Sequence, residues 1–362
     1  MKTTTLLWTV FGALTLFTVE AKGCTGITLR TINGSPIPAR TIEWAGNDLE
    51  SRYAIVPRGH TQRSYVPGGE KRGMQFTAKY GYVGLAVEQE EFVVDGLNEA
   101  GLAAGLFYFP EYGKYETYDA HRDNSTISDL QLVSWILSSF KNIDEVIAAI
   151  SKVHIVSIDP RGSTVHWRVT EEGGRQIVIE VIDQKLKVYE NRLGVLTNSP
   201  DFSWHLTNLN NYVNLFAGPI TSRTIGDLQL TAFGGGGGLH GIPGDMTPPS
   251  RFVRAAFFQS TAPKQATAEK TVLQAFHILN NFDIPTGIQF SEGQEVPDIP
   301  SATQWTIATD ITNRRIYYRT MHNSNIRCID LQHIDFRQTP YQSALLDKEK
   351  RQPIEVLNIM TE

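Results

Sequence analysis

The first 23 residues differ from the rest of the chain in composition, and we expect the folded protein to begin after them. Lys2 is followed by an uncharged stretch of apolar and hydroxyl residues from Leu6 to Val19, which is short for a bilayer span. Small residues stand one and three positions before Cys24, as signal peptidase prefers. This layout predicts a secretory signal peptide over residues 1–23, a cut between Gly23 and Cys24, and export to the periplasm or exterior of a bacterium. We expect residues 24–362 to form a single domain.

The predicted cut makes Cys24 the N-terminal residue of the mature chain. A free α-amino group has a pKa of roughly 7.7–8 and a thiol a pKa of about 8.5, so the amine can accept the thiol proton near neutral pH. Cys24 would then supply both the nucleophile and the general base of an acyl transfer. Two alternatives stay open. An oxidising compartment permits a disulfide with Cys328, and Gly23-Cys24 after an apolar run is also how a bacterial lipoprotein begins, in which case Cys24 is lipidated and the chain is a tethered binding protein.

Composition and motifs disfavour several other classes. The formal net charge is −5 and the basic residues are scattered, so nucleic acid and anionic membrane are poor partners and we expect no stable membrane insertion. The nine histidines show no HExxH pattern and the two cysteines no CxxC pattern, so we expect no metal and no other cofactor. The run Gly234–Gly238 lacks the Lys-Ser/Thr of a phosphate-binding loop, and a serine hydrolase elbow, GxSxG, is missing.

The hydrophobic pattern alternates between strand-like and helical stretches. Apolar residues at helical spacing fill Ser128–Val153, where Ser128 with Gln131 and Asn142 with Glu145 predict two capped helices in succession. Two further helices are predicted at Arg251–Gln259 and Ala268–Asn280. Strands are predicted at Thr25–Arg30, Ala39–Trp44, Tyr53–Val56, Gln75–Glu88, Leu102–Phe109, Thr164–Thr170, Ile177–Asp183, Leu186–Tyr189, Trp305–Asp310 and Ile316–Thr320. Strands flanked by separate groups of helices favour an α+β fold of packed layers.

Five motifs, in this order, give the chain a specific resemblance. They are Cys24-Thr25-Gly26, the stretch from Ala39 to Trp44, Asp95-Gly96-Leu97-Asn98-Glu99-Ala100-Gly101-Leu102, Leu196-Thr197-Asn198-Ser199-Pro200, and the stretch from Pro243 to Arg251. Together they resemble the choloylglycine hydrolase family, which holds bile salt hydrolases and penicillin V acylases and belongs to the N-terminal nucleophile hydrolases. The resemblance implies a four-layer αββα fold with two stacked, mostly antiparallel sheets between helical layers.

The resemblance also assigns catalytic roles by motif position. Cys24 matches the nucleophile, Arg40 the arginine beside its sulfur, Asn198 the side-chain donor to the oxyanion, and Arg251 the second arginine of the site. Two guanidinium groups near a thiol favour its thiolate, and a fixed amide N–H aimed at an oxyanion stabilises the transition state by about 2.7–4 kcal/mol in other hydrolases.

Two catalytic positions depart from the common pattern of the family. Glu43 stands where an aspartate usually holds the α-amino group, so the carboxylate lies one methylene farther out and the backbone is expected to adjust. Tyr108 stands where bile salt hydrolases often have asparagine and some penicillin acylases have tyrosine. In the family this position gives its backbone N–H to the oxyanion, so the tyrosine bears on specificity and not on catalysis.

The resemblance implies an amidase whose substrate pairs an apolar acyl part with a polar amine part. Bile salts conjugated to glycine or taurine are the first expectation, with penicillin V and N-acyl homoserine lactones as alternatives. Ile42, Trp44 and Phe107 flank the motif positions and are expected to line an apolar substrate pocket. The stretch Trp204–Leu230 resembles the region through which family members form tetramers, and a homotetramer is expected.

Overall fold

The computed structural model describes residues 22–158 and 164–359, so the apolar stretch of the predicted signal peptide lies outside the described residues. Five α-helices are present in the described ranges: α1 (Leu132–Ser139), α2 (Ile143–Ile150), α3 (Phe202–Asn208), α4 (Pro248–Thr261) and α5 (Ala268–Leu279). The strands there are β1 (Lys22–Arg30), β2 (Pro36–Trp44), β3 (Arg52–Val56), β4 (Thr61–Arg63), β5 (Gln75–Thr77), β6 (Tyr82–Ala86), β7 (Val93–Asn98), β8 (Leu102–Tyr108), β9 (Thr126–Ser128), β10 (His154–Val156), β11 (Val165–Glu171), β12 (Gln176–Ile182), β13 (Lys185–Glu190), β14 (Arg223–Ile225), β15 (Leu228–Leu230), β16 (Thr303–Asp310), β17 (Arg315–Thr320), β18 (Asn323–Asp330) and β19 (Gln342–Leu345).

Two large antiparallel sheets dominate the fold. The first has five strands in the order β1-β2-β16-β17-β18, and the second has eight in the order β13-β12-β11-β8-β7-β6-β3-β19. The sheets face each other where β1 meets β8. Helices α4 and α5 cover the outer face of the five-stranded sheet, and α1 and α2 pack on the eight-stranded sheet. These layers confirm the predicted α+β class and the αββα arrangement.

The central strands are buried on both faces because a helical layer covers one side and the opposite sheet the other. Every residue of β16 is buried, and so is every residue of β2 before Trp44. In a strand that is buried on both faces, a charged side chain is energetically costly unless it is paired. Arg40, in the middle of β2, is such a side chain.

Most predicted elements are confirmed with shifts of a few residues, and two details are wrong. The predicted strand Gln75–Glu88 is broken into β5 and β6, because the backbone N–H groups of Lys79 and Tyr80 both donate to the Ser138 carbonyl and not to a neighbouring strand. The predicted capping box at Ser128 does not form. Gln131 instead accepts a hydrogen bond from the backbone N–H of Tyr65, while Asn142 caps α2 as predicted.

Among the described residues, no helix combines the length and apolar character needed to cross a membrane.

Candidate active site

Cys24 lies within β1 with its side chain 3% exposed, directly opposite Ile42 of β2. Its thiol is free, and the exposed Cys328 is also unpaired. These two cysteines lie on β1 and β18, the two edge strands of the five-stranded sheet. Since neighbouring strands are about 4.8 Å apart and a disulfide needs Cα atoms within about 7 Å, this fold excludes the alternative of a disulfide between them.

The Arg40 guanidinium is the closest charged group to the sulfur. It is fully buried, and its Nη2 donates to the Cys24 Sγ at 2.7 Å. Its Nε and Nη1 donate to the backbone carbonyls of Thr41, Val94 and Leu106, so the side chain is held in a single orientation. Arg40 therefore presents one fixed N–H and a positive charge to the Cys24 sulfur.

Two further residues support Arg40 from the opposite sheet. Asp95 of β7 is buried and its Oδ2 lies 3.7 Å from the Arg40 Nη1, which partly neutralises the buried charge. The Phe107 ring lies against the guanidinium, 4.0 Å from its central carbon, with Arg168 at 5.2 Å from the same ring. Burial raises the pKa of Asp95, while Arg40 and Arg168 oppose the rise.

The prediction that Phe107 lines the substrate pocket is wrong. Side chains alternate between faces along a strand, and in β8 the cavity is lined by Leu106 and Tyr108. Phe107 therefore points to the other face, where it is completely buried against Arg40. Its contact is with the site's arginines.

Asn198 and Arg251 hold the backbone of Cys24. The Asn198 Oδ1 accepts from the Cys24 backbone N–H at 2.9 Å and from the Arg251 Nη2 at 2.6 Å, and its Nδ2 donates to the Tyr108 carbonyl at 2.7 Å. The Arg251 side chain extends from the second turn of α4, and its guanidinium also donates to the Cys24 carbonyl and the Thr25 hydroxyl. Among the described residues, the second Nδ2–H of Asn198 has no acceptor, which leaves one donor available to a ligand.

Tyr108 belongs to both the polar and the apolar parts of the site. Its backbone N–H faces the Cys24 sulfur and favours the thiolate, while the residue also lines the cavity. In hydrolases, backbone N–H groups beside the reacting centre donate to the oxyanion that forms when a carbonyl is attacked. The Tyr108 N–H is in a position to act in this way.

Glu43 is a buried carboxylate beside the Gly23–Cys24 peptide bond. It is 2% exposed, and neither oxygen has a hydrogen-bond partner among the described residues. A Cβ built on Gly23 would lie 3.2 Å from its Oε2. Burial raises the pKa of Glu43, against the opposing charge of Arg251. Opposite Glu43 and Ile42, the pairing of β16 with β2 shifts register between Thr303 and Trp305.

Burial also raises the pKa of the Cys24 thiol; Arg40, the Tyr108 N–H and Arg251 lower it, and Glu43 adds to the rise. The two arginines thus favour the thiolate as expected, but desolvation outweighs them in the uncut chain. The Cys24 thiol therefore holds its proton more tightly than an ordinary thiol does.

An apolar cavity opens beside Cys24. It contains about 860 Å³ of empty space that continues into solvent. Ile42 and Trp44 line it as predicted, from positions two and four residues after Arg40 on β2. The remaining apolar wall comes from Leu49, Val87, Phe92, Val94, Leu106, Tyr108, Leu130 and Val165. The cavity suits an apolar acyl group held next to the sulfur.

The sequence reasoning did not single out Asp95 and Arg168 as parts of the site. Asp95 stands in one of the quoted motifs, so its position was visible, but its pairing with Arg40 across the two sheets was not. Within the residues that the structure describes, no group of three or more His, Cys, Asp or Glu side chains is arranged to hold a metal ion.

Comparison with known proteins agrees with this geometry. The family model for linear amide C-N hydrolases, choloylglycine hydrolase family, matches residues 24–345. The chain belongs to the choloylglycine hydrolase family. It is accordingly a hydrolase acting on linear amides, with the fold of the N-terminal nucleophile hydrolases. The match begins at Cys24, the residue around which the buried polar groups converge.

Several relatives are similar over most of the chain. A bile salt hydrolase/transferase of Clostridium perfringens is 33% identical over 85% of this chain and 92% of its own length. A crystal structure of a mutant conjugated bile acid hydrolase from Clostridium perfringens superposes with a TM-score of 0.80 at 29% identity, covering 92% of this chain and 100% of that one. Penicillin V acylase from Agrobacterium tumefaciens has a TM-score of 0.68 at 25% identity, with 87% of this chain and 88% of that chain covered.

Proposed function

We propose that the mature protein begins at Cys24 and hydrolyses the amide bond of bile salts conjugated to glycine or taurine. The observation that carries the proposal is the convergence on Cys24 of a guanidinium N–H, a backbone N–H and a partly unused amide. Such a set stabilises a thiolate before attack and an oxyanion after it.

Removal of residues 1–23 is supported by Glu43. In the uncut chain this buried carboxylate has no hydrogen-bond partner among the described residues. A cut at Gly23–Cys24 would create an amino group in its neighbourhood, since Gly23 lies against the Glu43 carboxylate. A buried carboxylate without a partner is costly, and the new amine supplies one. The Asn198 Oδ1 would hold a second N–H of that amine and leave its lone pair for the thiol proton.

The reaction then runs through a thioester. The Cys24 sulfur attacks the amide carbonyl, its proton passes to the α-amine, and the oxyanion accepts the Tyr108 N–H and the second Nδ2–H of Asn198. The C–N bond breaks as the α-amine gives the proton to the departing glycine or taurine nitrogen. Water then attacks the thioester with the amine as base, which releases the acid and returns a proton to the sulfur.

The choice of bile salts rests on the apolar cavity and on the relatives. The cavity beside Cys24 offers an apolar wall to an acyl group, and a polar conjugate would extend toward its open mouth. Purified enzyme should hydrolyse glycocholate and taurocholate, and Cys24→Ala should hydrolyse neither. Full activity of Cys24→Ala would refute the assignment of the nucleophile.

Penicillin V is the second candidate substrate, favoured by Tyr108 at the cavity wall and by the similarity to penicillin V acylase. Parallel kcat/KM values for glycocholate, taurocholate, penicillin V and an N-acyl homoserine lactone would rank the candidates. A higher value for penicillin V than for either bile salt would replace our first choice.

The lipoprotein alternative makes a different prediction for the mature N-terminus. Because the chain belongs to an amide hydrolase family, a binding protein without catalysis describes it poorly. We propose export with a free N-terminal cysteine, which intact-mass measurement of the exported protein tests. An added diacylglycerol mass at Cys24 would overturn it.

We further propose a homotetramer that uses the stretch Trp204–Leu230. This stretch is rich in apolar side chains that the single chain leaves exposed, including Val213, Ile225 and Leu228 at 82%, 56% and 65%. Light scattering should give four times the mass of the mature chain. A monomer at every concentration would refute this.

A further inference from the structure

Two buried histidines hold consecutive carbonyl groups of the backbone that carries Asn198. The His166 Nε2 lies 3.1 Å from the Thr197 carbonyl oxygen, and the His205 Nε2 lies 2.8 Å from the Asn198 carbonyl oxygen. His166 comes from β11 and His205 from α3, so two separate elements meet at this short stretch. Both histidines are completely buried.

The protonation of both rings follows from their partners. A carbonyl oxygen only accepts hydrogen bonds, so each Nε2 carries a hydrogen. Burial lowers the pKa of His205 to about 4, and its ring is therefore neutral near pH 7. The His166 Nδ1 lies 2.9 Å from the Glu180 Oε1, which also accepts the Phe202 backbone N–H at 3.0 Å. This contact keeps the His166 ring in the orientation that places Nε2 against the Thr197 carbonyl.

Stacked aromatic rings fix the planes of the two histidines. His166 stacks on Phe109 with ring centroids 4.5 Å apart and an angle of 8°, and His205 stacks on Phe252 at 4.5 Å and 10°. Neither histidine lines the cavity beside Cys24. Their contacts to this part of the site are with the Thr197 and Asn198 carbonyls, so we expect their effect on catalysis to pass through Asn198.

We propose that His166 and His205 are positioning residues that hold the Thr197–Asn198 backbone so that the free N–H of the Asn198 amide points at the oxyanion. The proposal rests on the proposed function of Asn198. Arg251 and Tyr108 fix the side-chain amide, and the histidines fix the main chain from which it extends. The amide donor keeps its position only if both its side chain and its main chain are held. This matters because a displacement of about 1 Å at a reacting centre can cost 10²-fold in rate.

Matched substitutions separate the hydrogen bond from the packing. His205→Phe keeps a ring for the stack on Phe252 and removes the donor, whereas His205→Gln places an amide N–H near the position of Nε2. For His166, Gln keeps the donor to Thr197, and Asn keeps only the donor to Glu180. We expect His205→Phe and His166→Asn to lower kcat for glycocholate roughly 10-fold or more, with KM changed less than about twofold. Both Gln variants should recover most of kcat.

A double-mutant cycle tests whether the effect passes through Asn198. Asn198→Ala should lower kcat about 10²–10³-fold, and adding His205→Phe to it should lower kcat no further. Alkylation of Cys24 by iodoacetamide, which uses no oxyanion, should proceed at the wild-type rate in His205→Phe and His166→Asn. If His205→Phe lowers kcat equally with and without Asn198, the positioning role is refuted.

The outcomes distinguish this proposal from the proposed function. A large loss in Asn198→Ala with no loss in His205→Phe and His166→Asn would overturn the positioning role and leave the function standing. Full kcat in Asn198→Ala would overturn the oxyanion assignment itself. A crystal structure of His205→Phe needs no substrate: a displaced Asn198 amide supports the proposal, and an amide in its original place contradicts it.

Discussion

The polar groups around the Cys24 sulfur and the apolar cavity beside it differ in how they are built, although one strand serves both. On β2, Arg40 contacts the sulfur, and Ile42 and Trp44 line the cavity. Each contact around the sulfur is a short, directed hydrogen bond between buried groups. The cavity wall is a set of apolar surfaces that any ligand of suitable shape can contact. The first region should govern kcat for all substrates, and the second the choice among substrates.

The largest expected effect is loss of Arg40. Arg40→Met breaks the buried ion pair with Asp95 and leaves Arg168 as the remaining cation near Asp95, and breaking a buried ion pair costs about 3–5 kcal/mol. Urea denaturation should show this loss, and kcat should fall for bile salts and penicillin V alike. The double variant Arg40→Met/Asp95→Asn should regain stability but not activity. Recovery of activity would mean that Arg40 serves only to balance Asp95.

Loss of Asn198 should come next. Asn198→Ala removes the amide donor, and kcat should fall by a factor that corresponds to about 2.7–4 kcal/mol. The cavity is untouched, so the ratio of kcat/KM between glycocholate and penicillin V should stay constant within a factor of about two. A changed ratio would show that the two regions are not separable.

The buried His205 predicts a loss of stability in acid. Its pKa is about 4 in the folded chain, against about 6.5 when unfolded. Between these values the unfolded state binds the extra proton, so stability is lost as pH falls. From pH 7 to pH 4.5 the wild type should lose about 2.5 kcal/mol relative to His205→Gln. Parallel urea titrations at the two pH values measure the difference, and identical losses in both proteins would contradict it.

Glu43 should change its effect with the state of the N-terminus. Burial raises its pKa in the uncut chain, so its stabilising contribution is present below its unfolded pKa and is lost as pH rises through the folded value. At pH 7, Glu43→Gln should therefore stabilise an uncut chain by about 1–2 kcal/mol, with the gain vanishing below about pH 4. In a chain that begins at Cys24, where the amine is a partner, the same substitution should destabilise. The same sign in both chains would refute this pairing.

The smallest effects should come from the cavity wall. Tyr108→Asn changes the side chain and leaves its backbone N–H beside the sulfur, so kcat should change little. The ratio of kcat/KM between glycocholate and penicillin V should shift by about tenfold, which is the lower end of the range for a changed apolar contact. A collapse of kcat with both substrates would show that the Tyr108 side chain acts in the chemistry.

The residues that contact Cys24 were easier to predict from the sequence than the residues that hold them in place. Cys24, Arg40, Asn198 and Arg251 stand in motifs, and the structure brings all four together. The prediction that Phe107 lines the pocket was wrong, because Phe107 and Tyr108 are neighbours on a strand and their side chains cannot both face the cavity.

What local pattern could not supply is contact between distant segments. Asp95 reaches Arg40 from the other sheet, His205 reaches Asn198 from α3, and Ser138 accepts two backbone N–H groups where alternation alone would continue a strand. Hydrophobic periodicity reports which face of an element is buried, but not which distant residue meets it.

The central claim is that Cys24, as the N-terminal residue, attacks the amide. Intact mass spectrometry of enzyme quenched in acid during turnover of glycocholate tests it most directly. We predict a mature chain that begins at Cys24 and a second species heavier by one choloyl group, with that group mapped to the Cys24 sulfur. Hydrolysis by a chain that retains Gly23, or an acyl group found on any other residue, would contradict the account.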